Sequence, residues 1–400
     1  MPEEIRAVPL DSLVSDKISY GIVQPGNLEA DGVPIVRVKD VRSGKIDTSD
    51  PLVVSREVEQ KYTRTRLRGG EVLLTLVGSV GEVAVASEEV RGWNVARAIA
   101  VVRPSSEVTA QWLRLVLSSS AAQRYFGDRL NTTVQATLNL KDVRTLPVPM
   151  PSLRERDAVC AVVGALDDKI AVNERIAATY ERLLQCRFVE LGLGDDPDGD
   201  SVIPITDLIT FGPKLGKPVA AEPVYVDMAA LQANRAGIPS WARREPKSGP
   251  RFMNGDTLMA RITPCLENGK TGYVDFMEDG EIGLGSTEFI VLRSLPGVPS
   301  ELSYFLARDS RFREHAIRNM VGSSGRQRVS AADASNYTVM APDAEQLAAF
   351  GKEASATFAH MKSLESESRT LAALRDTLLP QLMSGRIRVK DAEKIVEDHV

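Results

Sequence analysis

The chain has 400 residues, is 43% hydrophobic and 26% charged, and carries a net charge of −5. That length points to two or more domains, the ordinary charged fraction excludes wholesale disorder, and no run of 18 apolar residues offers a membrane span. Cys160, Cys186, Cys265, His315, His360 and His399 are scattered, which leaves no disulfide framework, metal-ligand spacing or histidine-based catalytic site to expect.

The opening MPEEIRAVPL has neither a basic nor a long apolar stretch and is read as a mature cytoplasmic N-terminus. The first 150 residues or so hold short β-branched runs, PIVRVKDV, EVLLTLV, EVAVAS and AIAVVR, separated by Gly and Pro. These are strand signals. A helix is expected over 110–130. After PVPMPSLRERD the period changes: Val159, Val163, Leu166, Ile170, Asn173, Ala177, Tyr180 and Leu184 alternate steps of four and three. That is a heptad seam, and the polar Asn173 on it fixes register at some cost in stability. Six acidic residues and no basic one follow between Glu190 and Leu208, so the rest of the chain stands at +1.

The pattern then returns. Strand-like runs resume, a helix is expected over 301–320, and a second seam runs Leu347, Phe350, Ala354, Thr357, Met361, Leu364, Ser368, Leu371, with Leu374 and Leu378 continuing to a stop at Pro380. At about 1.5 Å per residue each helix is about 55 Å long. Five pairs of segments match in the same order. AVPLDSLVSDKISYG matches VIPITDLITFG; PIVRVKDV, PVYVDMAA; RLRGGEVLLTLVGSVGEVAV, RFMNGDTLMARITPCLENGKTGYV; RAIAVVR, TEFIVLR; and TVQATLNLKDVRTLPVPMP, SGRQRVSAADASNYTVMAP. The offset is 195 at the start and 191 at the end, which is a duplication. A lone amphipathic helix cannot bury its stripe. Two such helices, each following a globular domain, bury theirs against each other, and the domain between them returns the chain for an antiparallel pair.

The expected architecture is α+β: two duplicated mixed α/β domains separated by two long helices forming an antiparallel coiled coil, with pseudo-twofold symmetry. The boundaries are 1–151 for the first domain, 152–192 for the first helix, 193–200 for an acidic linker, 201–342 for the second domain, 343–385 for the second helix and 386–400 for a C-terminal tail. Val163, Leu166, Ile170, Asn173, Tyr180, Leu184, Phe350, Met361, Leu364 and Leu371 are expected at the helix-pair interface.

Chemical motifs are few. Gly269-Lys270-Thr271 in ITPCLENGKTGYV ends like a phosphate-binding loop, but that loop needs a glycine where Pro264 stands, and a helix after it. Here GYVDFM reads as a strand. No dinucleotide fingerprint, nucleophile elbow or His-Glu-x-x-His occurs; neither does Asn/Asp-Pro-Pro-aromatic, and no catalytic or metal residues are assigned. Basic residues cluster instead: Lys61, Arg64, Arg66 and Arg68; Arg243, Arg244, Lys247 and Arg251; and Arg308, Arg311, Arg313, Arg318, Arg326 and Arg328. Such patches suit a phosphate backbone.

The duplicated halves, LNLKDVRTLPVPMPSLRERDAV, ARITPCLENGKTG and the ending LLPQLMSGRIRV resemble the DNA-specificity subunit of type I restriction–modification systems over nearly the whole chain. The resemblance implies two target-recognition domains, each reading half of a bipartite asymmetric site. Conserved spacer helices set the gap and dock two methyltransferase subunits, and restriction (translocase/nuclease) subunits join that core. It further implies double-stranded DNA as partner, a non-catalytic chain without cofactor, and S-adenosylmethionine, ATP and Mg2+ held by the partner subunits. Half-sites one turn apart have centres about 34–36 Å apart, within reach of such a helical rod. The expected DNA-binding residues are Arg66, Arg97, Gln135, Thr137 and Asn139 in the first copy, and Arg261, Asn268, Lys270, Ser323, Ser324, Arg326 and Gln327 in the second. The alternative is a coiled-coil scaffold without DNA readout.

Overall fold

The computed structural model describes residues 5–26, 28–42, 44–131, 136–194, 201–245, 248–323 and 325–398. Gln135, Ser324, Lys247, His399 and the linker residues 195–200 lie outside the described residues. The chain divides into two compact units, Met1–Lys169 with Arg369–Val400, and Ile170–Ser368.

In the first unit the central sheet runs Ser19–Tyr20, Ile99–Val102, Val72–Thr75, Val83–Val85, with antiparallel neighbours throughout. In the second it runs Ile209–Phe211, Phe289–Ser294, Thr257–Ala260, Thr271–Tyr273, again antiparallel. A smaller sheet adds a parallel pair in each: Leu28–Val36 with Asn94–Val95, and Val224–Val226 with Gly283–Gly285. A two-stranded ladder ties the start of each copy to its end, with Val8 opposite Val148 and Ile203 opposite Val339. The repeat in sequence is therefore a repeat in topology. The β-branched runs form the central strands, and Val72–Thr75, Ile99–Val102 and Thr257–Ala260 are buried at every position. Fully buried strands of this kind need helices over them. Trp112 and Phe126 supply that cover in the first unit; Tyr304, Phe305 and Phe312 do so in the second.

One buried ion pair recurs. Glu71, after two glycines, accepts from Arg103 Nε at 3.2 Å and from the Arg68 N–H at 2.8 Å. Asp256, after Gly255, accepts Arg293 through two bonds of 2.6 Å and the Met253 N–H at 2.8 Å. Each acid opens an inner strand and each arginine closes its neighbour, so the pair fastens the same corner of both sheets.

The long helices are Leu153–Glu190 and Ala344–Met383. Ser152 and Glu155 form a capping box at the start of the first; Asp343 caps the second through the N–H groups of Glu345 and Gln346. Within the first unit, Val159 and Val163 share a core with Leu378, Leu379, Leu382 and Met383, and Asp167 pairs with Arg375 at 3.0 Å. Within the second, Leu184 and Phe188 share a core with Phe350, Ala354, Phe358 and Met361. Residue numbers rise along one helix as they fall along the other, which makes the coiled coil antiparallel. Leu166, Leu364 and Leu371 are also buried, while Ile170 and Tyr180 are half-buried. Asn173 Nδ2 donates to Glu367 Oε2 at 2.8 Å and Ser368 Oγ at 3.2 Å, and its Oδ1 is buried without a partner among the described residues.

The structure corrects three expectations. The helix expected over 110–130 is two, Ala110–Ser118 and Ser120–Gly127; that over 301–320 is Leu302–Arg308 and Ser310–Arg318. At each break an extended residue, Ser119 or Asp309, caps the following helix with its side chain. Pro380 does not stop the second long helix, which continues to Met383. Burial of Leu378, Leu379, Leu382 and Met383 on both sides of the proline offsets the missing hydrogen bond. The presumed tail contains a helix, Val389–Glu397, whose Ala392 is buried in the first unit's core beside half-buried Ile395 and Val396.

Candidate nucleic-acid interface

In each unit two loops meet beyond the inner strands of the central sheet. One is the hairpin turn, residues 76–82 or 261–270. The other comprises the described residues that follow the second short helix, 131 and 136–137 or 321–323 and 325–328. Backbone pairing locks them identically. Asn131 bridges Thr137, and Thr137 bridges Val77; Val321 bridges Arg328, and Arg328 bridges Ile262. Leu138 N–H donates to Leu76 O at 2.9 Å, as Val329 N–H does to Arg261 O at 3.0 Å. Gly78 N–H reaches Ala136 O at 3.3 Å, as Thr263 N–H reaches Gln327 O at 3.1 Å. These bonds involve no side chain, so the same clasp forms on two different sequences.

The structure brings most of the expected second-copy residues to this clasp. Arg261 lends its backbone to the lock, with Nε buried and without a partner among the described residues. Asn268 is exposed on the hairpin turn. Ser323 and Arg326 are exposed on the other loop, where Ser323 O accepts the Arg326 N–H at 3.0 Å. The Arg326 side chain has no partner among the described residues, and half-buried Gln327 uses its carbonyl in the lock. Lys270 turns inward, its ammonium donating to Met228 O at 3.0 Å, and Thr271 opens a strand. No helix follows, as a phosphate-binding loop would require. Beside Arg326, Arg328 makes two 2.8 Å bonds to Glu288, and these hold that carboxyl below its usual range.

The first copy is split. Thr137 is in the clasp and Asn139 stands exposed at the N-cap of Leu140–Arg144. Arg66 lies elsewhere, bonded to buried Glu59, and keeps that carboxyl low. Asn94 also donates to Glu59 at 3.1 Å and accepts from Thr65 at 2.7 Å, so Arg66 closes a network beside the smaller sheet. Arg97, three residues after Asn94, is exposed; its backbone N–H donates to Ile22 O, and its side chain has no partner among the described residues.

Sequence reasoning missed the residues that grip the hairpin turns from the side. Gln123 Nε2 donates to Gly81 O at 2.9 Å and Leu117 O at 2.8 Å. Arg308 donates to Ala233 O and, at 3.5 Å, to Gly269 O. Gly81 (φ +94°) and Gly269 (φ +70°) both adopt the left-handed region that favours glycine. The short helices Ser120–Gly127 and Ser310–Arg318 start 190 residues apart, which aligns Gln123 with Arg313; the offsets of 191 to 195 read from the matched segments miss that pairing.

Among the described residues no group of three or more His, Cys, Asp or Glu converges as metal ligands, and no helix is long and apolar enough to cross a membrane. What the clasp presents is exposed amide and guanidinium groups on a rigid backbone.

Comparison with known proteins agrees with this layout. Residues 22–182 match the type I restriction modification DNA specificity domain. The type I restriction enzyme EcoBI specificity subunit of Escherichia coli is 30% identical over 169 residues, 42% of this chain and 35% of that protein. The EcoEI specificity subunit of the same organism is 27% identical over 212 residues, 50% of this chain and again 35% of the relative. The match thus spans about a third of each relative. A crystal structure of a type I restriction–modification S subunit from M. genitalium superposes with a TM-score of 0.52 at 14% identity, covering 96% of this chain and 97% of that one. Residues 22–182 are therefore similar to the type I restriction modification DNA specificity domain, and the chain has the fold of the M. genitalium S subunit.

Proposed function

We propose that this chain is a non-catalytic DNA-specificity subunit, each unit reading one half of a bipartite, asymmetric site. One observation carries the reading: the same two-loop clasp is built twice by backbone bonds, with different side chains mounted on it. A reader of two unlike half-sites needs that division between constant frame and variable surface. Phosphate contacts place such a frame, and amide and guanidinium groups on base edges specify the sequence.

The long helices then set the distance between half-sites and seat two methyltransferase subunits, with restriction subunits joining that core. S-adenosylmethionine, ATP and Mg2+ belong to those partners. The complex acts on chromosomal and incoming DNA in the cytoplasm. Co-expression with the neighbouring methyltransferase and genome-wide mapping of methylated adenines tests the proposal. A bipartite motif is expected; random or absent methylation favours a scaffold without readout. Deleting one heptad between Ala165 and Leu184 should change the gap in that motif and leave its bases unchanged.

A further inference from the structure

The guanidinium groups of Arg308 and Arg313 converge on Gly269 at the foot of the second hairpin turn. Their Nη1 atoms lie 3.6 and 2.5 Å from the point a Gly269 Cβ would occupy, so they are no more than 6.1 Å apart, the sum of the two. Two like charges this close repel unless an anion lies between them. Among the described residues neither makes an ion pair, although Arg293, Arg318 and Arg328 in the same unit all do. The acids nearby are otherwise engaged or turned away. Glu181 feels the charge of Arg308, but its oxygens accept the Ala236 N–H at 2.7 Å and the Tyr304 hydroxyl at 3.0 Å. Glu267 is exposed and bonds to neither arginine. The first unit has neutral Gln123 in the place of Arg313, so the charge is peculiar to the second copy.

We infer that Arg308 and Arg313 form a subsite for one phosphate of the DNA backbone. Arg308 is fixed by the carbonyls of Ala233 and Gly269 and holds the turn. Arg313, half-buried and with a fork of donors that has no partner among the described residues, takes the phosphate oxygens, a geometry guanidinium fits better than ammonium. Asn268, adjacent and exposed, is then delivered to a base edge. The subsite rests on the DNA-reading proposal above and gives it a polarity: the second half-site is held more electrostatically than the first.

The test is binding of the full chain, in complex with its methyltransferase, to a duplex carrying the mapped site, over a range of salt. Each neutralised phosphate contributes about 0.9 to the slope of log affinity against log salt. Arg313→Gln should lower the slope by that amount, so that between roughly 50 and 200 mM salt the variant loses about 3.5-fold less affinity than wild type. Arg313→Lys should restore most of the slope, and the methylated motif should not change. Asn268→Ala should instead relax one position of the motif and leave the slope alone. Arg313→Gln should melt no lower than wild type, because it relieves repulsion. An unchanged slope in Arg313→Gln overturns the subsite, as does a melting temperature lower by more than about 4 °C, which would make Arg313 a structural prop. Failure of the unsubstituted complex to bind the duplex would defeat the DNA reading itself, and is visible without any variant.

Discussion

The two clasps differ in what fills them and agree in how they are held. In the first, the hairpin turn between Val72–Thr75 and Val83–Val85 is short and glycine-rich, and neutral Gln123 grips it. In the second, the turn between Thr257–Ala260 and Thr271–Tyr273 is three residues longer, and two arginines meet it. Both hang from the same backbone bridges, and a buried acid–arginine pair fastens the far end of the strand that leads into each turn. A frame made of main-chain bonds and one buried ion pair tolerates exchange of nearly every exposed side chain. That tolerance is what lets the readable surface diverge while the fold stays fixed.

The comparison breaks most visibly at the buried ion pairs. Arg293→Ala leaves the Asp256 carboxylate buried without its partner and should cost about 3–5 kcal/mol. Arg103→Ala should cost at least as much, because it also strands the carbonyls of Arg64 and Arg66. Urea unfolding of both variants measures this; a loss below about 1 kcal/mol in either would mean that the two corners are not equivalent.

The glycines that face the gripping side chains come next. Alanine at Gly81 or Gly269 must sit at positive φ, at about 1–2 kcal/mol each. The flexible ends of Gln123 and Arg313 can move aside, so the strain falls mainly on the turn. Each variant should therefore blur one half of the methylated motif and spare the other. If a single substitution alters both halves, the two reading surfaces are not independent.

Fold class was legible because its signals are local and periodic. A heptad seam such as Val159–Val163–Leu166 and a run such as EVLLTLV each declare their element within a dozen residues. Short-range polar signals were equally present but outweighed: Ser119 and Asp309 are ordinary caps, standing between two apolar-periodic stretches that read as one helix. Pro380 misled because burial of Leu378 and Leu382 is a tertiary effect that sequence period cannot weigh against a missing N–H. The site was legible only as loops. Lys270 and Arg66 look like free cations in sequence, yet one caps Met228 O across 42 residues and the other serves a buried carboxylate. Arg313, in contrast, reads as a helix-surface charge until the fold places it against Gly269.

A smaller effect separates the two halves of the coiled coil. The first unit's portion is joined by apolar packing and the Asp167–Arg375 pair; the second contains Asn173, buried with one oxygen unsatisfied. Asn173→Leu should stabilise the chain by about 1 kcal/mol, since Glu367 and Ser368 are half-buried and can turn to water. It should also loosen register, and so widen the range of gaps accepted between half-sites. A stabilised variant with the wild-type gap would assign Asn173 no ruler role; a destabilised one would make its bonds to Glu367 and Ser368 worth more than the orphaned oxygen costs.

The smallest expected effect sets two buried carboxylates against each other. In the first unit the Arg66 guanidinium holds Glu59 below its ordinary value of 4.5. Unfolding raises that value, so its stabilisation is present above the ordinary carboxylate range and disappears as pH falls through the depressed one. In the second unit burial pushes Glu181 up from 4.5. The native state then binds a proton that the unfolded chain releases, so its stabilisation is complete below 4.5 and declines as pH rises through the raised value. Glu181→Gln should accordingly melt about 2–4 °C higher than wild type near pH 8, with the gain gone by about pH 4. Glu59→Gln should melt lower at pH 8 by a similar amount, with the loss shrinking on acidification. Melting curves of both variants across that range decide it: if they move in the same direction, burial and ion pairing do not divide between the units as these contacts require.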